Sequence, residues 1–207
     1  MPGECLTALL ELSVPVEFIH GNGERGVLGR LEPNELEKVP EPFLEVMRWV
    51  GKQLSPEQSA LLDSWPLTVR LQTPDLGDIV FCHATPRSDN EIFTRLTPQE
   101  NLASIFAAVD ADMVVCGHTH MQFDRQIGDV RVVNAGSVGM PFGEPGAHWL
   151  LLGPTVELRL SPYDLEAAAE RIRKSDYPQA ESFASGHILQ RPSQEEMVER
   201  FEQAAIA

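Results

Sequence analysis

Two histidines lie two residues apart in the segment Gly117–His120, directly after the apolar run 112–116. On a helix, side chains at i and i+2 diverge by about 200°. After a strand, an extended or irregular backbone directs both imidazoles to different sides of one small space, an arrangement that suits two adjacent metals. We therefore predict that His118 and His120 bind divalent metal. The alternative is that a His-x-His pair at a strand exit is incidental.

Two further polar side chains occupy comparable positions. His83 follows the apolar run 78–82, and Asn22 lies in a glycine-flanked segment after residues 14–19. Because ligands collect at the carboxyl ends of strands in open α/β sheets, we expect both to converge on His118. The amide oxygen of Asn22 would be a neutral ligand. The alternatives are a structural histidine and an ordinary turn asparagine.

Charged residues flank two of these positions. We predict that Glu24 is an acid beside the ligands. We also predict that Arg25 contacts a substrate phosphate and that Arg87 lies near the same phosphate. The alternative is that they are solvated loop charges. Cys82 and Cys116 also lie close to the predicted ligands, but free cysteines at strand ends are usually small buried apolar residues.

The elements that must position these residues are strands and helices in a mixed order. Alternating or continuous apolar runs predict strands at 14–19, 67–71, 78–82, 112–116, 123–127, 130–134, 147–152 and 155–160. The last four are expected to form an antiparallel meander. Helical spacing and capping boxes predict helices at 4–12, about 33–54 with breaks at Pro40 and Pro42, from Ser55, from Thr97, after Pro162 and from Ser193. Residues 176–192 are expected to be a surface connector.

Composition limits the class of protein. A chain of 207 residues with 43% apolar content can bury the core of one domain. It has no run of about 18–20 apolar residues, and its net charge of −15 argues against binding to nucleic acid or anionic membranes. The three cysteines have no regular spacing, so the sequence does not indicate a disulfide framework. We expect a cytoplasmic protein.

Asn22, His83 and Gly117–His120, in that order and followed by the run Asn134–Pro141, resemble the calcineurin-like metallophosphoesterase pattern, in particular its small bacterial phosphodiesterase branch. The resemblance covers about residues 1–160. It implies an α/β fold, a four-layer α-β-β-α sandwich. It also implies that Asn22, His83 and His118 ligate one metal while His120 serves a second. Residues 161–207 would be a C-terminal helical extension packed on or trailing this domain.

The sequence departs from the family pattern in two ways. The family begins with strands ending in Asp-x-His and Gly-Asp, and neither motif precedes Asn22. Many members also carry a histidine where Gly23 stands, which puts general-acid catalysis in doubt. We expect a truncated member without its first strand-helix-strand unit, through an upstream start or real loss, and the position of Met1 favours the first. One sheet would lose its central strands, and its exposed edges predict self-association as a homo-oligomer.

Two functions follow from the resemblance. The first is a metal-dependent phosphoesterase that hydrolyses a small phosphomonoester or phosphodiester through a metal-bound hydroxide. The complete family site holds two divalent ions, for which manganese, iron, zinc and nickel suit the ligands comparably; this chain would hold one or none. The second is a degenerate, non-catalytic metal- or phosphate-binding domain of the same fold. A third hypothesis is that the histidines are structural.

Overall fold

The structure is a computed structural model that describes residues 1–206. Within these residues, strands form a five-stranded sheet of order β1-β2-β3-β5-β4 and a two-stranded sheet of β6 and β7. The parallel strands β2, β3 and β5 lie at the centre of the larger sheet, and β1 and β4 pair antiparallel at its edges. The strands are β1 Thr68–Thr73, β2 Gly77–Cys82, β3 Met113–Cys116, β4 Phe123–Ile127, β5 Val130–Asn134, β6 Ala147–Leu152 and β7 Val156–Ser161.

Helices lie before the strands in the chain, between β2 and β3, and after β7. They are α1 Pro2–Leu10, α2 Asn22–Val27, α3 Pro33–Leu36, α4 Glu41–Gln53, α5 Pro56–Asp63, α6 Gln99–Ala107, α7 Leu165–Arg173, α8 Ala180–Phe183, a π-helix at Ala184–Leu189, and α9 Gln194–Glu202. The predicted capping boxes at Ser55 and Ser193 are confirmed, because each hydroxyl accepts a hydrogen bond from the backbone three residues on. No helix within residues 1–206 is both long enough and apolar enough to cross a membrane.

The two faces of the larger sheet bury separate sets of apolar side chains. On one face, Leu102 and Phe106 of α6 pack on Val80, Val114 and Val132. On the other face, side chains that alternate with these along the strands contact the β6–β7 hairpin; they are Ile79, Met113, Val115 and Val133. A fully buried side chain of this size contributes about 1.5–3 kcal/mol. The fold is thus a mixed α/β sandwich, as predicted.

The predicted strand at residues 14–19 is wrong. This segment is not part of either sheet, and at its end the amide of His20 donates to the carbonyl of Pro66 at 3.0 Å. Phe18 stacks on Trp65 with ring centroids 4.7 Å apart. A β-prone sequence forms a strand only beside a partner strand, and Pro15 lacks an amide donor. Contacts with Trp65 and Pro66, which lie just before β1, hold the segment instead.

The predicted antiparallel meander is also wrong. The last four strands form two separate hairpins, β4–β5 and β6–β7, in different sheets. The β4–β5 hairpin turns back so that β5, and not β4, lies beside β3. Strand β5 therefore pairs with β3 in parallel. The Gly/Pro-rich stretch at 135–146 then carries the chain to the second sheet.

Two other local predictions are overturned by contacts distant in sequence. Thr97 does not cap α6: its hydroxyl donates to Glu202 at 2.6 Å and accepts from the amide of Thr94, so the helix begins after Pro98. Residues 176–192 are not a surface connector. They contain α8 and the π-helix, whose Ala184 and Ile188 are buried against α7.

The C-terminal segment packs on the sheet domain. Met197 and Val198 of α9 pack with Met121 and Phe142. The amide of Ile206 donates to the carbonyl of Ile92 at 3.0 Å. The predicted division of the chain at residue 160 stays a prediction, but the segment beyond it shares a core with the residues before it.

Candidate metal centre

The loops after three parallel strands meet at one edge of the larger sheet. His83 follows β2 directly, and Gly117, the first residue after β3, donates its amide to the carbonyl of His83 at 2.9 Å. The amide of Ala135, after β5, donates to the carbonyl of Cys116 at 2.9 Å. The strand pairing therefore continues into the loops and brings His83 beside the Gly117–His120 segment.

The backbone of this segment is strained at both histidines. His118 has φ of 64° and His120 has φ of 60°, and no other non-glycine residue in the described range has a positive φ. Such a conformation costs on the order of 1–3 kcal/mol for a residue with a Cβ, and persists where the surroundings enforce it. Strain of this kind concentrates at functional sites, which supports the interpretation of this loop as one.

Asn134 holds the strained loop in place. This residue is 1% exposed, its side-chain amide donates to the carbonyl of Gly117 at 2.5 Å and to Thr119 Oγ1 at 3.2 Å, and its Oδ1 accepts from the amide of Gly136 at 2.9 Å. The motif after β5 thus has a structural task. It orients the histidine loop from the neighbouring strand, a role that the sequence analysis missed although it had singled out the motif.

His83 and His118 face each other. Nε2 of His83 lies 3.1 Å from Nδ1 of His118, so one of these nitrogens donates and the other accepts. Burial and the neighbouring imidazoles lower the pKa of His118 to about 4, and burial lowers that of His83. Both rings are therefore neutral near pH 7, the state in which imidazole binds metal.

The second ring nitrogen of His118 has no hydrogen-bond partner. Nε2 is inaccessible to solvent and makes no hydrogen bond of ordinary geometry, although the backbone of Asn90 lies near enough to raise the pKa of His118. An unsatisfied buried polar atom costs about 1–3 kcal/mol, and such an exception requires an explanation. The Asn90 backbone provides one in part, and Nδ1, which faces His83, is the nitrogen available to a cation that both histidines share.

His120 presents a free nitrogen for a different reason. Its Nδ1 lies 2.8 Å from the carbonyl oxygen of Met140, and since a carbonyl only accepts, Nδ1 carries the proton. The lone pair is then on Nε2. The ring also stacks on Phe142 at 5.7 Å, and burial lowers its pKa. A carbonyl that fixes the tautomer of a histidine is a common arrangement at metal ligands.

Asn22 is the first residue of α2 and is brought to His83 by its neighbour. A Cβ added at Gly21 would lie 2.5 Å from Cγ of His83, so the glycine backbone packs directly on the imidazole. Glu24 occupies the third position of the helix, where its Oε2 accepts from the amide of Gly21 at 2.7 Å. Its predicted catalytic role stays a prediction, and in the structure its carboxylate caps α2.

The two arginines predicted to contact phosphate both bind carboxylates. Arg25 is paired with Glu35 and Asp89, and Arg87 with Glu91 at 2.5 Å. Their proposed contact with a substrate stays a prediction. Asp89 is 5% exposed and was missed by the sequence analysis, because no local pattern distinguishes it from a surface acid.

The candidate donors suit a divalent cation in kind but not in charge. Asn22, His83, His118 and His120 supply neutral nitrogen and oxygen atoms, which suit borderline cations. In the part of the chain that the structure describes, no three or more His, Cys, Asp and Glu side chains are grouped so as to hold a metal ion. Burial raises the pKa of the Cys82 thiol to about 12, which disfavours thiolate ligation. These ligands would bind a cation weakly without a carboxylate.

A groove of about 470 Å³ opens beside the histidines. Its floor combines the three imidazoles with apolar side chains of both sheets, among them Phe81, Val115 and Leu150. This volume lies within the range of small-molecule sites. The groove gives a small ligand access to the histidine loops.

Comparison with known proteins agrees with this geometry. The family model described as the calcineurin-like phosphoesterase superfamily domain matches residues 3–154. The chain therefore belongs to the calcineurin-like phosphoesterase superfamily, as the motifs indicated. Members of this family are phosphoesterase-type hydrolases that generally bind divalent metals. No curated protein matches the chain.

Two solved structures share the fold. A hypothetical protein from Pyrococcus horikoshii OT3 superposes with a TM-score of 0.75 at 20% identity, over 93% of this chain and 81% of that one. A metallophosphoesterase from Sphaerobacter thermophilus superposes with a TM-score of 0.65 at 22% identity, over 88% of this chain and 79% of that one. These similarities confirm the predicted fold class.

Proposed function

We propose that this protein is a metal-dependent phosphoesterase that hydrolyses a small phosphomonoester or phosphodiester. The observation that carries the proposal is the 3.1 Å approach of His83 Nε2 to His118 Nδ1 on a strained loop, a separation that suits two nitrogens holding one cation. Neutral imidazoles with an available nitrogen at the carboxyl edge of a parallel sheet are suited to binding a cation. The membership of the chain in a phosphoesterase superfamily supports the same reaction class.

The proposed ligands are divided between two positions. Asn22, His83 and His118 hold one divalent cation, and His120 offers Nε2 toward a second. Manganese, iron, zinc and nickel all suit these donors. A bound cation supplies Lewis-acid polarisation of the phosphoryl group and lowers the pKa of water.

The chain itself supplies orientation and a suitable local environment. Burial keeps His83, His118 and His120 neutral, and the carbonyl of Met140 fixes the proton of His120 on Nδ1. The net charge of −15 repels an anionic substrate at long range, so its phosphate requires a local cationic centre. Bound metal meets that requirement, with Arg25 and Arg87 as proposed further contacts and Glu24 as a proposed acid.

One observation favours a second candidate, a non-catalytic metal- or phosphate-binding domain. The residues described in the structure bring no carboxylate into the ligand set, so the positive charge of two adjacent cations would be poorly neutralised. Such a domain would bind Mn²⁺ or phosphate without turnover. It shares every histidine contact with the first candidate.

Hydrolysis and metal binding together distinguish the candidates. We expect the chain to hydrolyse a generic aryl phosphodiester or monoester with added Mn²⁺, and His118→Ala to lose both turnover and bound metal. Glu41→Gln, which alters an exposed ion pair outside the proposed ligands, is the control and should retain both. Metal binding that depends on His118 without any turnover would favour the second candidate. Equal, near-zero metal in wild type and His118→Ala would contradict the site.

A further inference from the structure

A buried carboxylate outside the proposed ligand set lies close to the paired histidines. Asp89 follows His83 by six residues and is 5% exposed. Both of its oxygens accept from Arg25: Nε donates to Oδ2 at 2.5 Å and a terminal nitrogen to Oδ1 at 2.8 Å. The carboxylate is therefore neutralised by the guanidinium instead of being free to bind a cation.

The same guanidinium binds a second carboxylate. Its terminal nitrogens donate to the two oxygens of Glu35 at 2.9 and 2.8 Å. Four of the five N–H groups of Arg25 are thus used. The side chains of Arg25 and Glu35 are only 23% and 22% exposed, so solvent screens these pairs less than an ordinary surface ion pair.

These ion pairs join the segments that carry Asn22 and His83. Arg25 lies three residues after Asn22 on α2, whereas Asp89 lies in the loop that His83 begins. Helix α2 contains no buried residue, so a hydrophobic core does not fix its position. Its placement depends on its packing against α4, where Gly26 meets Met47, on the contact of Gly21 with His83 and on the Arg25 ion pairs.

We infer that Glu35, Arg25 and Asp89 form a positioning triad that fixes Asn22 relative to His83 and thereby sets the metal affinity of the site. The inference rests on the proposed function, because it assumes that Asn22 is a ligand. It adds a role in the ligand scaffold to the phosphate contact proposed for Arg25. Asp89 is a positioning residue, since it acts through Arg25.

Mn²⁺ affinity of Asp89→Asn tests the triad. We expect the affinity to fall about tenfold or more, the usual effect of losing a residue that orients a ligand. Asp63→Asn is the matched control. It removes the ion pair of Asp63 with Arg30 at 3.1 Å, whose side chains are 48% and 62% exposed, and should change affinity less than about twofold. Unchanged affinity in Asp89→Asn would overturn the inference.

A double-mutant cycle separates positioning from general stabilisation. If Asp89 acts by placing Asn22, then Asp89→Asn should weaken Mn²⁺ binding in the wild-type background and cause no further loss in Asn22→Ala. If Asp89→Asn lowered Mn²⁺ affinity by the same factor in both backgrounds, the inference would be contradicted, because the effect would then not pass through Asn22. Arg25→Lys keeps the positive charge but loses the paired hydrogen bonds of the guanidinium. We therefore expect this variant to bind Mn²⁺ more weakly than wild type does.

Folding is measured for each variant without metal, by circular dichroism and urea unfolding. If Asp89→Asn does not fold, Glu35→Gln decides: weakened Mn²⁺ binding supports the triad, and unchanged binding overturns it. Wild type and His118→Ala are measured in parallel. If neither binds Mn²⁺, the proposed function fails and the inference with it. If only wild type binds, while Asp89→Asn binds as wild type does, the inference alone fails.

Discussion

The histidine loops and the asparagine-bearing helix reach the candidate metal centre by different means. The histidine loops extend from strands whose central residues Val114 and Val132 are fully buried, and backbone hydrogen bonds continue from strand to loop. Helices α2, α3 and α4 bury no residue, and α2 is held by ion pairs and by the contacts of Gly21 with His83 and of Gly26 with Met47 on α4. The histidine half of the centre is therefore fixed by the core, and the Asn22 half by side chains near the surface.

This difference has a consequence for stability. Changes beneath the histidine loops should affect the folding of the whole domain, because they disturb buried hydrogen bonds. Changes around α2 should affect metal affinity and pH dependence more than folding. Substitutions in the two regions should therefore differ in how much they lower the free energy of unfolding.

Asn134→Leu should have the largest effect on stability. The substitution removes three hydrogen bonds, leaves the amide of Gly136 without its acceptor and leaves the carbonyl of Gly117 with only the amide of Thr119. We expect the free energy of unfolding to fall by about 3 kcal/mol, measured by urea denaturation. Asn90→Ala, at an exposed residue, is the control. A loss below about 1 kcal/mol would show that Asn134 does not hold the loop.

Gly21→Ala should have an intermediate effect, because the added Cβ would overlap the ring of His83. We expect a loss of about 2 kcal/mol in the free energy of unfolding, together with weaker Mn²⁺ binding. Gly23→Ala is a matched control on the same helix, since a Cβ there meets nothing within 4 Å. Equal behaviour of the two variants would contradict the packing of Gly21 on His83.

Glu35→Gln should change the pH dependence of stability. Hydrogen bonds from Arg25 lower the pKa of Glu35 from 4.5 to about 2. The ionised carboxylate therefore stabilises the fold fully above pH 4.5, and this contribution is lost as the pH falls toward 2. We expect wild type to exceed Glu35→Gln by about 1.5 kcal/mol at pH 6, with the difference vanishing near pH 2 in urea titrations.

Glu41→Gln is the control for that titration. Glu41 pairs with Arg48 at 2.7 Å, but the two side chains are 71% and 59% exposed. An exposed pair of this kind contributes little to stability, so the variant should follow wild type at every pH. If Glu35→Gln also followed wild type, the ion pairs of Arg25 would not stabilise the placement of α2.

Leu12→Ser should have the smallest effect on folding. Leu12 is 51% exposed and lies in the sequence between Leu9 and Val14, which are 46% and 60% exposed. We expect the free energy of unfolding to change by less than about 0.5 kcal/mol. The predicted homo-oligomer should dissociate more readily, as measured by sedimentation velocity, because exposed apolar side chains favour association. An unchanged oligomeric state would exclude this segment as the contact.

The sequence was most informative where structure follows from local pattern. The strands before His83 and His118 are predicted by short apolar runs, and their convergence follows from the geometry of parallel sheets. These two facts sufficed to place the histidines together. They did not predict the strained backbone of His118 and His120, which depends on Asn134 from the neighbouring strand.

The predictions that failed involve partners distant in the sequence. Thr97 contacts Glu202, which lies 105 residues away, and this contact overrides a local capping pattern. The ion pair of Arg25 with Asp89, which spans 64 residues, was likewise not apparent from the loop around it, while the predicted phosphate contact of Arg25 stays a prediction. Residues 14–19 have the composition of a strand but no neighbouring strand, and their backbone pairing depends on one.

The most direct test of the metal centre is an anomalous-difference map from crystals of the full chain soaked in Mn²⁺. We predict a peak in direct contact with a ring nitrogen of His118, with His83 and Asn22 as further ligands, at distances of about 2.0–2.2 Å for nitrogen. The peak should be absent in His118→Ala crystals. A cation bound elsewhere, in contact with neither His83 nor His118, would contradict the account.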